Sequence, residues 1–217
     1  MIYYAVPDAF DDALLRRLQP LLPPEKQGTI AKIKHPPTKR QAVLAWALLT
    51  YALRQQGFGL FALSFSETGK PFFASLPLQF NLSHTDTLVC VALSKQPVGI
   101  DAQSFTTASD AVARRVLSDA ELRLLAAEDE KSALFTRFWT QKEAFAKRTG
   151  EGLLRGFSTL DFAPFLEQDA FRAFGCAFRV WTLCGAVMTA CGEDLPTQPQ
   201  EVTPQMLEQA LFPQNQG

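Results

Sequence analysis

The sequence predicts an α+β protein of two similar lobes related by a pseudo-twofold axis, each a small antiparallel sheet packed on one long helix. Three observations predict it. The order strand, short helices, long helix, hairpin-like strands occurs twice along the 217 residues. The run Leu88-Val89-Cys90-Val91-Ala92-Leu93 near the end of the first half has a counterpart in Ala186-Val187-Met188-Thr189-Ala190-Cys191 of the second. A chain of this length with 47% hydrophobic residues can fill one large core or two small ones. The expected boundary gives lobes 1–102 and 103–217.

Ile2 to Val6 reads as a strand, and Asp8 to Leu18 as a short helix with Ala9, Phe10, Ala13, Leu14 and Leu18 on one side. Pro20, Pro23 and Pro24 break the chain before a helical segment around Lys26 to Lys32. Thr38 is the expected N-cap of a long helix from Lys39 to Gln55, which stops before Gly57. Its residues Val43, Leu44, Ala47, Leu48, Tyr51 and Ala52 keep helical spacing, so it is a core helix with only its first turn, Lys39 and Arg40, free for chemistry. Short β-like pieces follow: Leu63 to Phe65, Pro71 to Phe73, Leu78 to Leu82, Leu88 to Leu93 and Val98 to Asp101. Helices are expected near Asp110 to Val116 and from Ser118 to Ala127, where Ser118-x-x-Glu121 makes a capping box. A second long helix runs from Lys131 to Arg148 and ends at Gly150. Phe171 to Leu183 and Ala186 to Ala190 read as strands, and Pro204 to Leu211 as a last helix.

Charge and composition exclude several classes. Twenty-one basic against 22 acidic residues give a formal charge of −1, too little basic excess for a general nucleic-acid binder. The longest apolar run, Ala42 to Ala52, is too short to span a membrane, and the first residues carry no basic stretch of a secretion signal. Cys90, Cys176, Cys184 and Cys191 form no C-x-x-C and lie among strand-like apolar residues, which reads as buried free thiols. A cytoplasmic protein, without nucleic-acid or membrane partners, is expected. Neither a P-loop nor a G-x-G-x-x-G appears; Gly150-Glu151-Gly152 is too short to count.

Chemistry concentrates in two places. Pro97-Val98-Gly99-Ile100 is short and β-prone, so Asp101 leaves a strand with its carboxylate at the exit. Trp139, Glu143 and Lys147 recur at i, i+4, i+8 and share one helical face. Brought together, two carboxylates hold a hard divalent cation, and the adjacent lysine suits the phosphates of a substrate. Taken singly, each has a plainer reading: Glu143 and Lys147 as an exposed ion pair, Asp101 as a turn former, His84 as a structural histidine.

Gly99-Ile100-Asp101 followed by Trp139-x-x-Lys142-Glu143-x-x-x-Lys147 resembles the signature of the 4'-phosphopantetheinyl transferases, in particular the larger monomeric type that modifies carrier domains of peptide, polyketide and fatty-acid synthases. Arg40 opening a helix, Thr68-Gly69-Lys70-Pro71, and Phe80-Asn81-Leu82-Ser83-His84 add three weaker elements in the same order. The resemblance implies transfer of the 4'-phosphopantetheine arm of coenzyme A to a serine of an acyl or peptidyl carrier protein, with Mg²⁺ or in its place Mn²⁺. It implies Asp101 and Glu143 as metal ligands, Glu143 also as general base, and Lys147 on the leaving phosphate. Ser83 and His84 become donors to the coenzyme's phosphates, Lys70 a contact near its adenine and phosphate end, and Arg40 a 3'-phosphate contact, with Lys26 and Lys32 as weaker candidates. The carrier is expected to dock through apolar residues between Thr107 and Leu125.

One departure stands out. The family pattern places a further acid two residues after the aspartate, where this chain has Gln103. An amide oxygen still ligates a cation or holds a water but brings no charge. That substitution favours the rival reading, a weak or inactive relative that binds carrier protein or coenzyme A without transfer.

Overall fold

Each long helix lies against one four-stranded sheet in the computed structural model, which describes residues 1–59, 61–67, 69–150 and 156–213. The first sheet has the order β10-β1-β5-β4, built from β1 (Ile2–Ala5), β4 (Gln79–His84), β5 (Val89–Ser94) and β10 (Gln200–Glu201). β1 and β4 run antiparallel to β5, while β10 joins β1 in parallel. β2 (Leu63–Phe65) and β3 (Pro71–Phe73) form a separate hairpin. The second sheet is antiparallel throughout in the order β6-β9-β8-β7, from β6 (Gly99–Ser104), β7 (Ala170–Ala173), β8 (Cys176–Leu183) and β9 (Ala186–Gly192).

The period of two along the strands explains the layering. Val89, Val91 and Leu93 of β5 face α3 (Pro36–Gln55), packing with its Leu44, Leu48 and Leu53, while Cys90 and Ala92 face the other sheet. Likewise Val187 and Cys191 of β9 join a phenylalanine-rich core with α6 (Lys131–Thr149), whereas Ala186, Met188 and Ala190 meet Cys90 and Ala92 between the sheets. The order is therefore helix, sheet, sheet, helix. α1 (Asp12–Leu18), α2 (Pro24–Ala31) and α7 (Pro204–Leu211) pack around α3; α4 (Asp110–Val116) and α5 (Asp119–Ala127) lie on the α6 side. Among the described residues no helix is long and apolar enough to cross a membrane.

The expected capping box at Ser118, the stop at Gly150 with φ of 81°, and the last helix all appear. Several expectations need correction. α3 starts at Pro36, not Lys39, because proline fits a first turn whose N–H groups are unpaired in any case. Thr38 is thus inside the helix, its hydroxyl 3.0 Å from His35 Nδ1, and Arg40 lies beyond the first turn. Phe171 to Leu183 is two strands, split by a turn in which Phe174 and Gly175 have φ of 50° and 75°. Asp8 to Leu18 divides into a 3-10 turn and α1, with Asp11 capping Leu14 N–H at 2.7 Å. Cys184 is exposed in the β8–β9 turn, whereas the other three thiols are buried. Residue 102 falls inside β6, all six of whose residues pair with β9, and the chain later returns to the first sheet through β10. Thr68, Glu151 and Gly152 lie outside the described residues.

Candidate active site

Gly99 brings the two chemical segments together. A Cβ at this position would stand 2.0 Å from Ala144 O and 2.6 Å from Arg148 N, so α6 rests directly on the backbone of β6. Only glycine permits that approach. Two residues on, the same face of β6 presents Asp101, and two further Gln103, buried and half-buried respectively.

Lys147 reaches from α6 to β6. Its ammonium donates to Asp101 Oδ1 at 2.7 Å, Ser83 Oγ at 3.1 Å and Ile100 O at 3.2 Å. Ser83 Oγ in turn donates to Asp101 Oδ1 at 2.9 Å. Lys70 Nζ donates to the Lys147 carbonyl at 2.5 Å, tying the β2–β3 hairpin to the end of α6. Glu143, one turn before Lys147, is half-buried; burial first, and then the charge of Asp101, pushes its carboxyl up to about 7, against the pull of Lys147.

Among the described residues no group of three His, Cys, Asp or Glu side chains is placed to hold a metal ion. Asp101 and Glu143 nevertheless repel each other through their charges. Such a pair of oxygen donors fits a hard divalent cation that takes its remaining ligands from substrate and water.

Lys70 and His84 line a cavity of about 250 Å³ with Trp46, Phe80 and Asn81. Burial lowers the Lys70 pKa. His84 keeps an exposed ring, yet the surrounding protein and then the Lys147 charge hold its pKa below the usual histidine value, opposed by Asp86. Lys26 stacks over Trp46 and Phe65, at 5.0 and 4.6 Å from the ring centroids, and burial lowers its pKa against the opposing charge of Glu25. Asp101, Glu143, Lys147, Ser83, Lys70 and His84 thus gather in one region, with Lys26 at its rim.

Arg40 is placed elsewhere. Its guanidinium pairs with Asp12 at 2.5 Å and donates to Phe10 O, on the wall of a separate cavity of about 590 Å³ shared with Arg16, His35 and Lys39. Trp139 packs beside Phe135 and Phe157 instead of lining the site.

Sequence reasoning quoted Lys142 within the motif but gave it no role. It is fully buried, 2.8 Å from Glu121 Oε2, and donates to the carbonyls of Phe157 and Leu160. Glu121 also accepts Phe162 N–H at 2.9 Å. One residue from Glu143 in sequence, Lys142 points a third of a turn away and pins α5 and the segment 157–162 to α6. The signal available was the capping box, which placed Glu121 at the start of a helix without naming its partner. Farther along, Thr107, Ala113, Arg114, Leu122, Leu125 and Phe135 line a cavity of about 430 Å³, and Phe105 and Val112 are exposed.

The family model described as the 4'-phosphopantetheinyl transferase superfamily matches residues 97–195, a stretch that contains Asp101, Glu143 and Lys147. The chain is 32% identical over 159 residues to "4'-phosphopantetheinyl transferase Sfp" of Bacillus subtilis (strain 168), covering 70% of each chain. It is 28% identical to "4'-phosphopantetheinyl transferase psf-1" of Bacillus pumilus, covering 71% of this chain and 68% of that one. With "4'-phosphopantetheinyl transferase AcpT" of Salmonella typhimurium the identity is 33% over 68% of this chain and 73% of the relative.

Proposed function

This chain belongs to the 4'-phosphopantetheinyl transferase superfamily and is an enzyme of that class, and from that premise we propose that it transfers the 4'-phosphopantetheine arm of coenzyme A to a serine of an apo acyl or peptidyl carrier protein. Adenosine 3',5'-bisphosphate leaves. The observation that carries the reading is the convergence of Asp101, Glu143 and Lys147 across the α6–β6 contact at Gly99.

In this reading Asp101 and Glu143 hold Mg²⁺, and Gln103, on the same face of β6, offers an amide oxygen as third donor or as holder of a water; Mn²⁺ suits the same oxygen set. A bound divalent cation supplies neutralising charge to the pyrophosphate. Glu143 takes the serine proton as the serine oxygen bonds to phosphorus. Lys147 stabilises the negative charge that collects on the departing bisphosphate. Ser83, His84, Lys70 and Lys26 belong to the coenzyme's phosphate and adenine end, the last three supported by their shared cavity and its rim. Arg40 reaches the 3'-phosphate by giving up Asp12. An exposed pair of that kind is worth about 0–1 kcal/mol, less than a charge-assisted bond to phosphate.

The carrier docks over the apolar cavity between α4, α5 and α6. The repeated pairing of one sheet with one long helix supports two halves related by a pseudo-twofold axis, the first serving the coenzyme and the second the catalytic helix, although the expected boundary at residue 102 cuts β6 and β10 returns to the first sheet. Incubation with coenzyme A, Mg²⁺ and an apo carrier is expected to add the mass of one phosphopantetheine to the carrier. A carrier that binds without gaining mass gives the decision to the rival that Gln103 favours, a relative that binds but does not transfer.

A further inference from the structure

The transfer reaction leaves two nucleophiles of the second sheet unused. Cys176 opens β8, and Cys191 lies near the end of β9. Phe178 stands opposite Cys191 and two residues after Cys176, so strand alternation puts both thiols on the face that packs against α6. Their sulfurs are 3.0 Å apart, only about 1 Å beyond the length of a disulfide bond. Cys176 donates its own proton to Ala173 O at 3.5 Å, so the proton between the two sulfurs is that of Cys191.

Cys176 has the surroundings of an attacking thiol. The bond it accepts from Cys191 lowers its pKa against the opposing effect of burial, with help from the charge of Arg148, while the same bond raises the pKa of Cys191. Arg148 and Arg172 both pair with Glu193 at 3.2 Å, and the buried Arg148 Nε has no hydrogen-bond partner among the described residues. Both thiols are buried, yet Cys176 forms the last rung of the four-residue edge strand β7, paired with Ala173 across the turn at Phe174 and Gly175. The end of an edge hairpin opens locally without global unfolding, and that opening admits a small oxidant.

We propose that Cys176 and Cys191 are a modification site, a thiol pair that a small peroxide converts to a disulfide within the folded sheet. The Cys176 sulfur attacks one peroxide oxygen, the O–O bond breaks, and the other oxygen leaves as water with the thiol proton, giving a sulfenic acid at Cys176. The Cys191 sulfur then bonds to the sulfenic sulfur and gives up its proton, and the second oxygen leaves as water. Two thiols and one hydrogen peroxide thus yield one disulfide and two waters, the two electrons passing from sulfur to oxygen. The crosslink fastens β8 to β9 two residues before Glu193, the anchor of Arg148 at the end of α6. It is independent of the proposed transfer reaction.

The test uses the chain with Cys184→Ser, which removes the exposed thiol and leaves three of the four cysteines. Hydrogen peroxide is expected to lower the thiols titrated after denaturation from three to one and to link tryptic fragments 173–179 and 180–217, whose ends are set by Arg172 and Arg179. Dithiothreitol restores all three. Because the bond spans 15 residues, the thermal midpoint rises on oxidation, by roughly 5 °C, and falls back on reduction. With Cys191→Ser added, the same treatment leaves a sulfenic acid at Cys176 that dimedone traps; with Cys176→Ser added instead, Cys191 stays unlabelled. The reverse labelling overturns the order of attack. A thiol count that stays at three, a sulfinic acid at Cys176 without the link, or a link through Cys90 overturns the proposal. The thiol count and the fragment link need no substitution within the pair, so they decide the matter even if a serine variant fails to fold.

Discussion

Glu143 sits where burial and a neighbouring carboxylate keep a proton on it to about pH 7, which sets both what it does and what it costs. As the base form is the active one and a bound cation lowers the carboxyl below its metal-free value, kcat/KM of transfer is expected to rise with pH at a midpoint below about 7. Glu143→Gln and Asp101→Asn should each lower turnover by about 10²–10⁴ while leaving the circular dichroism spectrum unchanged. Near wild-type turnover in either would remove the metal and base roles. The same raised pKa makes a stability prediction for metal-free enzyme. The folded state holds the Glu143 proton more tightly than the unfolded chain, so its favourable contribution is complete below the unfolded pKa and is lost as pH rises through about 7. Glu143→Gln should therefore stabilise the metal-free protein above that pH, by on the order of 1 kcal/mol after solvent screening of a half-exposed group, measured as urea midpoints at two pH values. For Arg40→Ala, discrimination between coenzyme A and dephospho-coenzyme A should shrink; equal discrimination in variant and wild type removes Arg40 from the site. Glu143 and Lys147 were legible because helical spacing is a local property; Asp101 was expected at a strand exit, but β6 runs on to Ser104 and holds it mid-strand, its side chain aimed at α6 by the strand's alternation. Lys147 lying on Asp101, Lys70 on the α6 carbonyl and Arg40 turned to Asp12 were not, since each partner is set by tertiary packing across many residues.

At the scale of elements the controlling contact is α6 on β6. Gly99→Ala places a methyl group against two backbone atoms that cannot swing aside, so helix and strand must separate. A loss of about 3 kcal/mol or more is expected in urea unfolding, with a fall in turnover larger than the stability loss explains, because Asp101 and Glu143 sit on opposite sides of that contact. Gly192 supplies the control: its added Cβ would meet the Leu195 and Val98 side chains at 3.3 and 3.4 Å, which can yield, and Gly192→Ala should cost much less. Turnover unchanged in Gly99→Ala would sink the argument. The helices were readable where caps and periodicity agree, as at Ser118 and Gly150. The start of α3 was misread because two prolines look like a break yet suit a first turn. The β7–β8 hairpin was missed because its turn places Phe174 at positive φ, a conformation that the sequence pattern does not advertise.

At the scale of the molecule, the cavity between α4, α5 and α6 carries the docking proposal, and it has a direct test. Val112→Asp and Phe105→Ser, both at exposed positions, should raise the KM for carrier protein about tenfold while coenzyme A affinity stays constant. A change in coenzyme A affinity alone would place docking elsewhere. The repeat of strands and long helices was visible along the chain, but which sheet the last strand joins was not, because a two-residue strand has no periodicity to read. That strand has a consequence for synthesis. β10 pairs in parallel with β1, Tyr3 opposite Gln200, and Val202, Leu207 and Leu211 are buried in the core around α3. The first half of the protein, although translated first, cannot seal its sheet or its core until residues at the far end have left the ribosome. It must wait with its β1 edge open, so a strand made early finishes its sheet only when one made about 200 residues later arrives.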